Sequence, residues 1–223
     1  MKAVILAAGV GSRLGRPYPK SLSKLPDGET ILGRQIRILR KYGVNEIIIV
    51  VGFKKSLIME NFPQVYYKYN PIYYITNTAK SLLHGIEDVK EDVIWLNGDV
   101  IFDEEVLEKV IKTKGNLVAV NSVQCGEEEV KYRIDEGGYL SSISKTVKDA
   151  EGEAIGINKI SKADIDKFKE SLKECQDDDY FEKGIENIIQ DNVKFKILDV
   201  SQYRCIEVDF QEDWDTAINL FSE

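Results

Sequence analysis

The sequence predicts a single-domain α/β fold over residues 1–223, with three layers (α/β/α) around a mixed, mostly parallel sheet. Three observations carry this prediction. Residues 46–52 and 92–97 form apolar runs without alternation, the pattern of strands covered on both faces. Segments with helical spacing separate such runs, and strands that alternate with helices build parallel sheets. The 223 residues, 43% of them hydrophobic, suit one domain with a full core better than two small ones.

The first strand, Ala3 to Leu6, is a short apolar run that feeds a glycine-rich turn. Gly9 and Gly11 free the backbone there, and Ser12 is placed to cap the segment that follows. A helix over Ile31 to Tyr42 has Ile31, Ile38 and Leu39 at helical spacing and stops at Gly43. After strand 46–52 come a helix at Lys55 to Asn61 and a strand at Val65 to Tyr69. Ser81 to Glu87 is a helix, and Asp92 to Asn97 is a buried strand that runs into Gly98-Asp99. The second half is less regular. Glu104 to Lys114 is a helix, Leu117 to Ser122 a strand, and Glu127 to Ser144 two antiparallel strands joined through Gly137-Gly138. A strand at Ala154 to Lys159 and helices at Lys162 to Leu172 and Phe181 to Gln190 follow, with Lys173 to Asp179 an exposed acidic turn. Strands Phe195 to Asp199 and Cys205 to Asp209 are expected to close the sheet, and a helix over Glu212 to Phe221 packs last.

Composition removes several function classes. A net charge of −8, with the one basic cluster (Arg13, Arg16, Lys20) inside the glycine-rich loop, argues against a nucleic-acid binder. No apolar run approaches the roughly 18 residues of a membrane span, and no signal segment opens the sequence, so a cytoplasmic chain without membrane insertion is expected. Cys125, Cys175 and Cys205 are odd in number and widely spaced, which suits reduced thiols. His84 stands alone, so a histidine-based metal cluster is excluded.

The loop from Gly9 to Lys20 is the most informative segment. Backbone N–H groups aligned at such a turn, with fixed cations beside them, bind anionic oxygens, which makes this a polyphosphate site. Spacing removes two rival glycine loops. A Walker A loop needs Gly-Lys-Ser/Thr after four intervening residues, and Ser12-Arg13-Leu14 stands there instead. A dinucleotide fingerprint needs G-x-G-x-x-G, whereas Gly9, Gly11 and Gly15 are one residue too long. A plain strand-to-helix turn with solvated cations stays open as the alternative.

LAAGVGSRL followed by PKSL resembles the signature of the sugar-phosphate nucleotidylyltransferase superfamily, L-A-A-G-x-G-[ST]-R-L then P-K. Leu6, Ala7, Ala8, Gly9, Gly11, Ser12, Arg13, Leu14, Pro19 and Lys20 fall on that pattern. The short connection Gly-Arg-Pro-Tyr between Leu14 and Pro19 is similar to the cytidylyltransferase branches, of which the small phosphocholine and inositol-phosphate enzymes look nearest. The resemblance implies a Rossmann-like fold of the nucleotide-diphospho-sugar transferase type. It also implies that Leu6, Ala8, Gly9, Gly11 and Ser12 contact the nucleotide, while Arg13 and Lys20 act on its phosphates.

Metal ligands are expected at strand ends, where open α/β sheets bind ligands. Asp99 ends a buried strand in WLNGD and aligns with the aspartate that the superfamily uses for Mg²⁺; otherwise it merely opens the loop before Phe102. The segment RCIEVDFQEDW resembles the element W-x-[DE]-[IV]-D-[TS]-x-E-D-L, which makes Asp209 the second ligand. It departs at Arg204, in place of tryptophan, and at Phe210, in place of threonine. Glu207 is a competing carboxylate on the same strand face, one step from the tip. Glu212 and Asp213 are ordinary first-turn acids of a helix.

Asn70 to Leu82 resembles the N-P…N-x-x-S-L element that lines the base pocket of small cytidylyltransferases, so Asn77, Thr78 and Ser81 are either nucleotide contacts or helix-cap residues. EAIGINKIS matches an acceptor-facing element through Glu153, Gly156 and Lys159, and Lys145 is a candidate for the acceptor phosphate. Tyr73, Tyr74, Tyr180, Phe181 and Glu182 could surround an ammonium group, or be ordinary surface and core residues.

The function expected is a Mg²⁺-dependent transfer of a nucleotidyl group from an NTP, with CTP favoured, to a small phosphomonoester, releasing pyrophosphate. Two alternatives stay open: a hexose-1-phosphate uridylyl-, thymidylyl- or guanylyltransferase, and a catalytically silent nucleotide-binding module. Arg13, Lys20, Asp99 and Asp209 together argue against the silent module.

Overall fold

A computed structural model describes residues 1–123, 125–126 and 129–222. Strands β1 (Lys2–Ala7), β2 (Ile47–Val51), β3 (Tyr66–Tyr69) and β4 (Val93–Asn97) alternate with helices α1 (Ile31–Lys41), α2 (Lys55–Asn61) and α3 (Thr78–Ile86). All four strands run parallel. The Thr30 hydroxyl accepts the Gly33 N–H at 3.0 Å and caps α1, and Gly43, at φ 83°, ends it in the left-handed region that glycine tolerates. Then come β5 (Val100–Phe102), α4 (Glu104–Lys112), β6 (Asn116–Asn121), β7 (Lys131–Ile134), β8 (Leu140–Ser144) and β9 (Glu153–Ile160). The chain continues through α5 (Ile165–Glu174), α6 (Phe181–Gln190), β10 (Phe195–Asp199), β11 (Cys205–Glu207) and α7 (Gln211–Leu220). The expected hairpin is present as β7 and β8; Glu127 and Glu128, where that stretch was expected to begin, lie outside the described residues.

The main sheet has the order β10-β6-β9-β4-β1-β2-β3, and along this row β9 runs against the rest. Alternation along β1 divides the core. Val4 and Leu6 pack with Leu82 of α3, Phe168 of α5 and Ile185 of α6, while Ala3 and Ile5 pack with Leu39 of α1, Ile58 of α2 and Leu107 of α4. The result is the three-layer α/β/α arrangement.

One expected element is corrected. Residues 205–209 do not close the main sheet: β11 is shorter and pairs antiparallel with β5, Cys205 opposite Phe102 and Glu207 opposite Val100. The turn at Gly98 carries the chain out of the sheet plane. Its N–H donates to Leu6 O at 2.9 Å, and an added Cβ would lie 2.6 Å from that oxygen. The small ribbon therefore has its own apolar cluster, in which Ile101 and Val208 meet Trp214 and Phe221 from the C-terminal segment and Leu14 from the glycine-rich loop.

Candidate active site

β1 lies between β2 and β4, so the connections leaving its carboxyl end and that of β4 diverge. Such a switch point is where open α/β sheets leave a crevice. The crevice here is a cleft of about 330 Å³. Its lining includes Leu6, Ala8, Gly9, Gly11, Ser12, Arg13 and Lys20 from the first loop, and Asn77, Thr78 and Ser81 from the start of α3. Asp99, Lys145, Gly156 and Asp209 complete the expected residues gathered there.

The loop is shaped by two left-handed glycines, Gly11 at φ 63° and Gly15 at φ 65°, which bracket a single 3₁₀ turn at Ser12–Leu14. Ser12 does not cap this turn, contrary to expectation: Gly11 holds the cap position, and Ser12 is already inside a turn of three residues. Leu14, buried against the C-terminal segment, anchors the loop. Arg16 lies over the Trp214 ring at 4.4 Å and adds a cation–π contact between the same two segments.

The charged centre joins three distant parts of the chain. Lys20 Nζ is 2.6 Å from Asp99 Oδ2 and donates to Asp209 Oδ1 at 2.7 Å. Arg13 donates to Asp209 Oδ2 at 3.1 Å and lies over Phe210 at 5.5 Å, so the residue that departs from the family element supplies an aromatic face to the arginine. Asp213 accepts the N–H groups of Asp209 (2.9 Å) and Phe210 (2.7 Å), a cap that fixes the Asp209 backbone. Burial pushes the Asp209 carboxyl up, but Lys20 and Arg13 outweigh it and hold the group below its usual range. Burial likewise works against the Lys20 charge, and the two aspartates more than offset it, so the ammonium stays ionised. Glu207 differs. Burial and the charges of Asp99 and Asp209 push its carboxyl well up, and its Oε1 already accepts the Asn97 amide at 3.1 Å. Asp99 and Asp209 are thus the carboxylates paired with Lys20, and Glu207 is a supporting neighbour.

On the α3 side, the cap role holds for Asn77, whose Oδ1 accepts the Thr78 N–H at 2.8 Å. This cap also explains why α3 starts at Thr78, earlier than expected. Thr78 Oγ1 accepts the Phe181 N–H at 3.0 Å, and Ser81 Oγ accepts from Asn70 at 3.1 Å. The start of α3 is in this way tied to the start of α6.

The β9 residues divide. Gly156 lines the cleft, but Glu153 and Lys159 do not. Both are odd steps from Gly156, and alternation sends them to the other face. Glu153 accepts the Gly126 N–H at 3.0 Å. Lys159 is buried and donates to the carbonyls of Ile111 (3.2 Å) and Thr113 (2.7 Å) beside α4, so it does not face a substrate. Tyr74, at 67% exposure, also stays outside, whereas Tyr73, Tyr180, Phe181 and Glu182 line the cleft. Asn97 and Glu129 were not anticipated. Asn97 is the last residue of β4, and its place two residues before Asp99 is a usable signal; Glu129, amid consecutive glutamates, offers none.

Gly156 has φ 63°, and an added Cβ would lie 2.6 Å from the Asn97 amide nitrogen. Gly156→Ala is expected to cost about 2 kcal/mol from left-handed strain plus displacement of Asn97. For a chain of this size that is a fall in Tm of roughly 4–8 °C. An unchanged melting temperature would show that Asn97 is free to move.

Comparison with known proteins identifies the fold and the family. A CMP-5'-(3-aminopropyl)phosphonate synthase of Streptomyces rubellomurinus is 36% identical over 119 residues, 49% of this chain and 19% of that relative, so the chain spans about a fifth of its length. A CTP:phosphoglutamine cytidylyltransferase of Campylobacter jejuni is 25% identical over 256 aligned positions, covering 98% of this chain and 99% of the relative. The inositol-1-phosphate CTP transferase structure from T. maritima superposes with a TM-score of 0.83 at 18% identity, over 99% of this chain and 94% of that one, and shows the same fold. The family model described as the MobA-like NTP transferase domain matches residues 3–155, which take in the glycine-rich loop and Asp99. The chain belongs to that family.

Proposed function

We propose that this chain transfers a cytidylyl group from CTP to a small phosphomonoester or phosphonate, releasing pyrophosphate. The observation that carries the reading is the Lys20 ammonium held between Asp99 and Asp209 at the mouth of the glycine loop. A binding module for NTP would have no use for two carboxylates there. The preference for CTP is supported by the two relatives above, whose names specify a CMP product and a CTP substrate.

The donor set suits Mg²⁺. Two carboxylates come from separate strand ends, Asp99 Oδ1 is buried without a hydrogen-bond partner, and this ion is commonly held by one or two carboxylates plus phosphates and water. Bound by Asp99 and Asp209, the ion would supply Lewis-acid charge at the α-phosphate. The remaining steps belong to the chain. Arg13 and Lys20 exchange a carboxylate for phosphate oxygens and stabilise the charge that develops on the departing pyrophosphate. An acceptor oxygen attacks the α-phosphorus in line as the bond to the pyrophosphate oxygen breaks. Such an oxygen is already ionised near neutral pH, so positioning suffices without a general base.

Pyrophosphate release measured with each of four NTPs against a panel of phosphomonoesters, phosphonates and hexose 1-phosphates tests this. Release with CTP and a small acceptor is expected. Release confined to UTP with a hexose 1-phosphate would replace both substrates, and no release with any pair would sink the enzymatic reading.

A further inference from the structure

Glu182 is the buried acid that the phosphate chemistry leaves unused. It is 6% exposed, lines the cleft at the start of α6, and its Oε2 has no hydrogen-bond partner among the described residues. No ion pair forms to it there either; the cation acting on it is Lys145, which instead lies over the Tyr180 ring at 4.8 Å. An acid in the first turn of a helix is ordinary, because the helix end favours it. An orphaned carboxyl oxygen buried against a cleft is not, since leaving such a group unpaired is costly. Burial raises the Glu182 carboxyl to about 7, the same effect raises Glu129, and one lysine, Lys145, draws both down. This end of the cleft therefore has an excess of acid beside the rings of Tyr180 and Phe181.

We infer that Glu182 is the specificity-determining residue of the acceptor end, where it receives the ammonium group of a short amine-bearing phosphomonoester or phosphonate whose anionic oxygens face Lys145. The inference rests on the nucleotidyl-transfer reading and narrows its acceptor. An ammonium supplies both the missing donor and the missing positive charge, whereas a hydroxyl would leave a desolvated carboxylate uncompensated. The neighbouring rings suit a cation as well.

The test compares 2-aminoethyl phosphate with 2-hydroxyethyl phosphate, each with CTP, in the wild type and in Glu182→Gln. The wild type is expected to favour the amine, and the isosteric variant to lose roughly 10–100-fold in kcat/KM for it, through KM, as expected for one charge-assisted hydrogen bond. The selectivity between the two acceptors should then nearly vanish. Calorimetric titration of CTP and a thermal melt separate this from misfolding: CTP affinity is retained, and the variant, freed of an orphaned buried charge, melts no lower at pH 8. Equal wild-type use of both acceptors, an equal loss for both in the variant, or turnover of hexose 1-phosphates with neither ethyl acceptor would each overturn the inference while nucleotidyl transfer stands. If no pair released pyrophosphate, that reading would fall, and calorimetric binding of the two acceptors would decide Glu182 by itself: amine-selective binding lost in Glu182→Gln supports it, and unselective or absent binding overturns it.

Discussion

Asn in place of Asp99 or of Asp209 is expected to lower CTP-dependent pyrophosphate release by on the order of 10³-fold or more, because on the proposed reading each change would remove one of the two charges that would hold Mg²⁺. The two carboxylates arrive from separate strands, Asp99 after β4 and Asp209 after β11, and the structure brings both within 2.7 Å of one ammonium. Asn keeps the shape and loses the charge. The fold should survive each change, since Lys20 keeps the other aspartate; the loss of one charged hydrogen bond costs about 1–3 kcal/mol. A thermal melt run alongside the assay distinguishes lost chemistry from lost structure. Near-wild-type turnover in either variant would remove that residue from the metal site, and Glu207, the third acid nearby, would then replace it.

How far these residues can be found without coordinates depends on how local the physics is. The shape of the loop Gly9 to Lys20 was legible because a glycine turn with its cations is built from consecutive residues, and its spacing alone separates it from other glycine loops. Asp99 was legible for a related reason: a buried apolar run ending in Gly-Asp marks a strand's carboxyl end. The ribbon of β5 and β11 was not. Strands of three residues carry no readable period, and the turn at Gly98 that takes them out of the sheet depends on a close approach to Leu6, from a strand far away in sequence. Lys159 faces away from the cleft because three steps along a strand from Gly156 reverse the face that a side chain occupies, which a motif matched as a unit does not register. Glu129 and the orphaned oxygen of Glu182 are consequences of packing between elements, and no pattern along the chain reports them.

Lys20→Ala is expected to separate rate from binding. If Lys20 acts on charge that grows as pyrophosphate departs, kcat should fall by roughly 10²–10³-fold while the affinity for CTP weakens far less, the pattern of an interaction stronger in the transition state than in the ground state. The same variant bears on the metal. On the proposed reading Lys20 and Mg²⁺ would draw on the same carboxylates, so removing the ammonium should leave Asp99 and Asp209 facing each other without a shared cation. The nucleotide-free variant should then bind Mg²⁺ more tightly than the wild type does, which isothermal titration calorimetry can measure with no turnover required. Both effects follow from one geometry, an ammonium 2.6 Å and 2.7 Å from two carboxylates, and they run in opposite directions: slower chemistry, tighter metal. Equal losses in kcat and in CTP affinity would reduce Lys20 to a ground-state phosphate contact. Weaker Mg²⁺ binding in Lys20→Ala would show instead that the lysine organises the aspartates for the metal rather than competing with it.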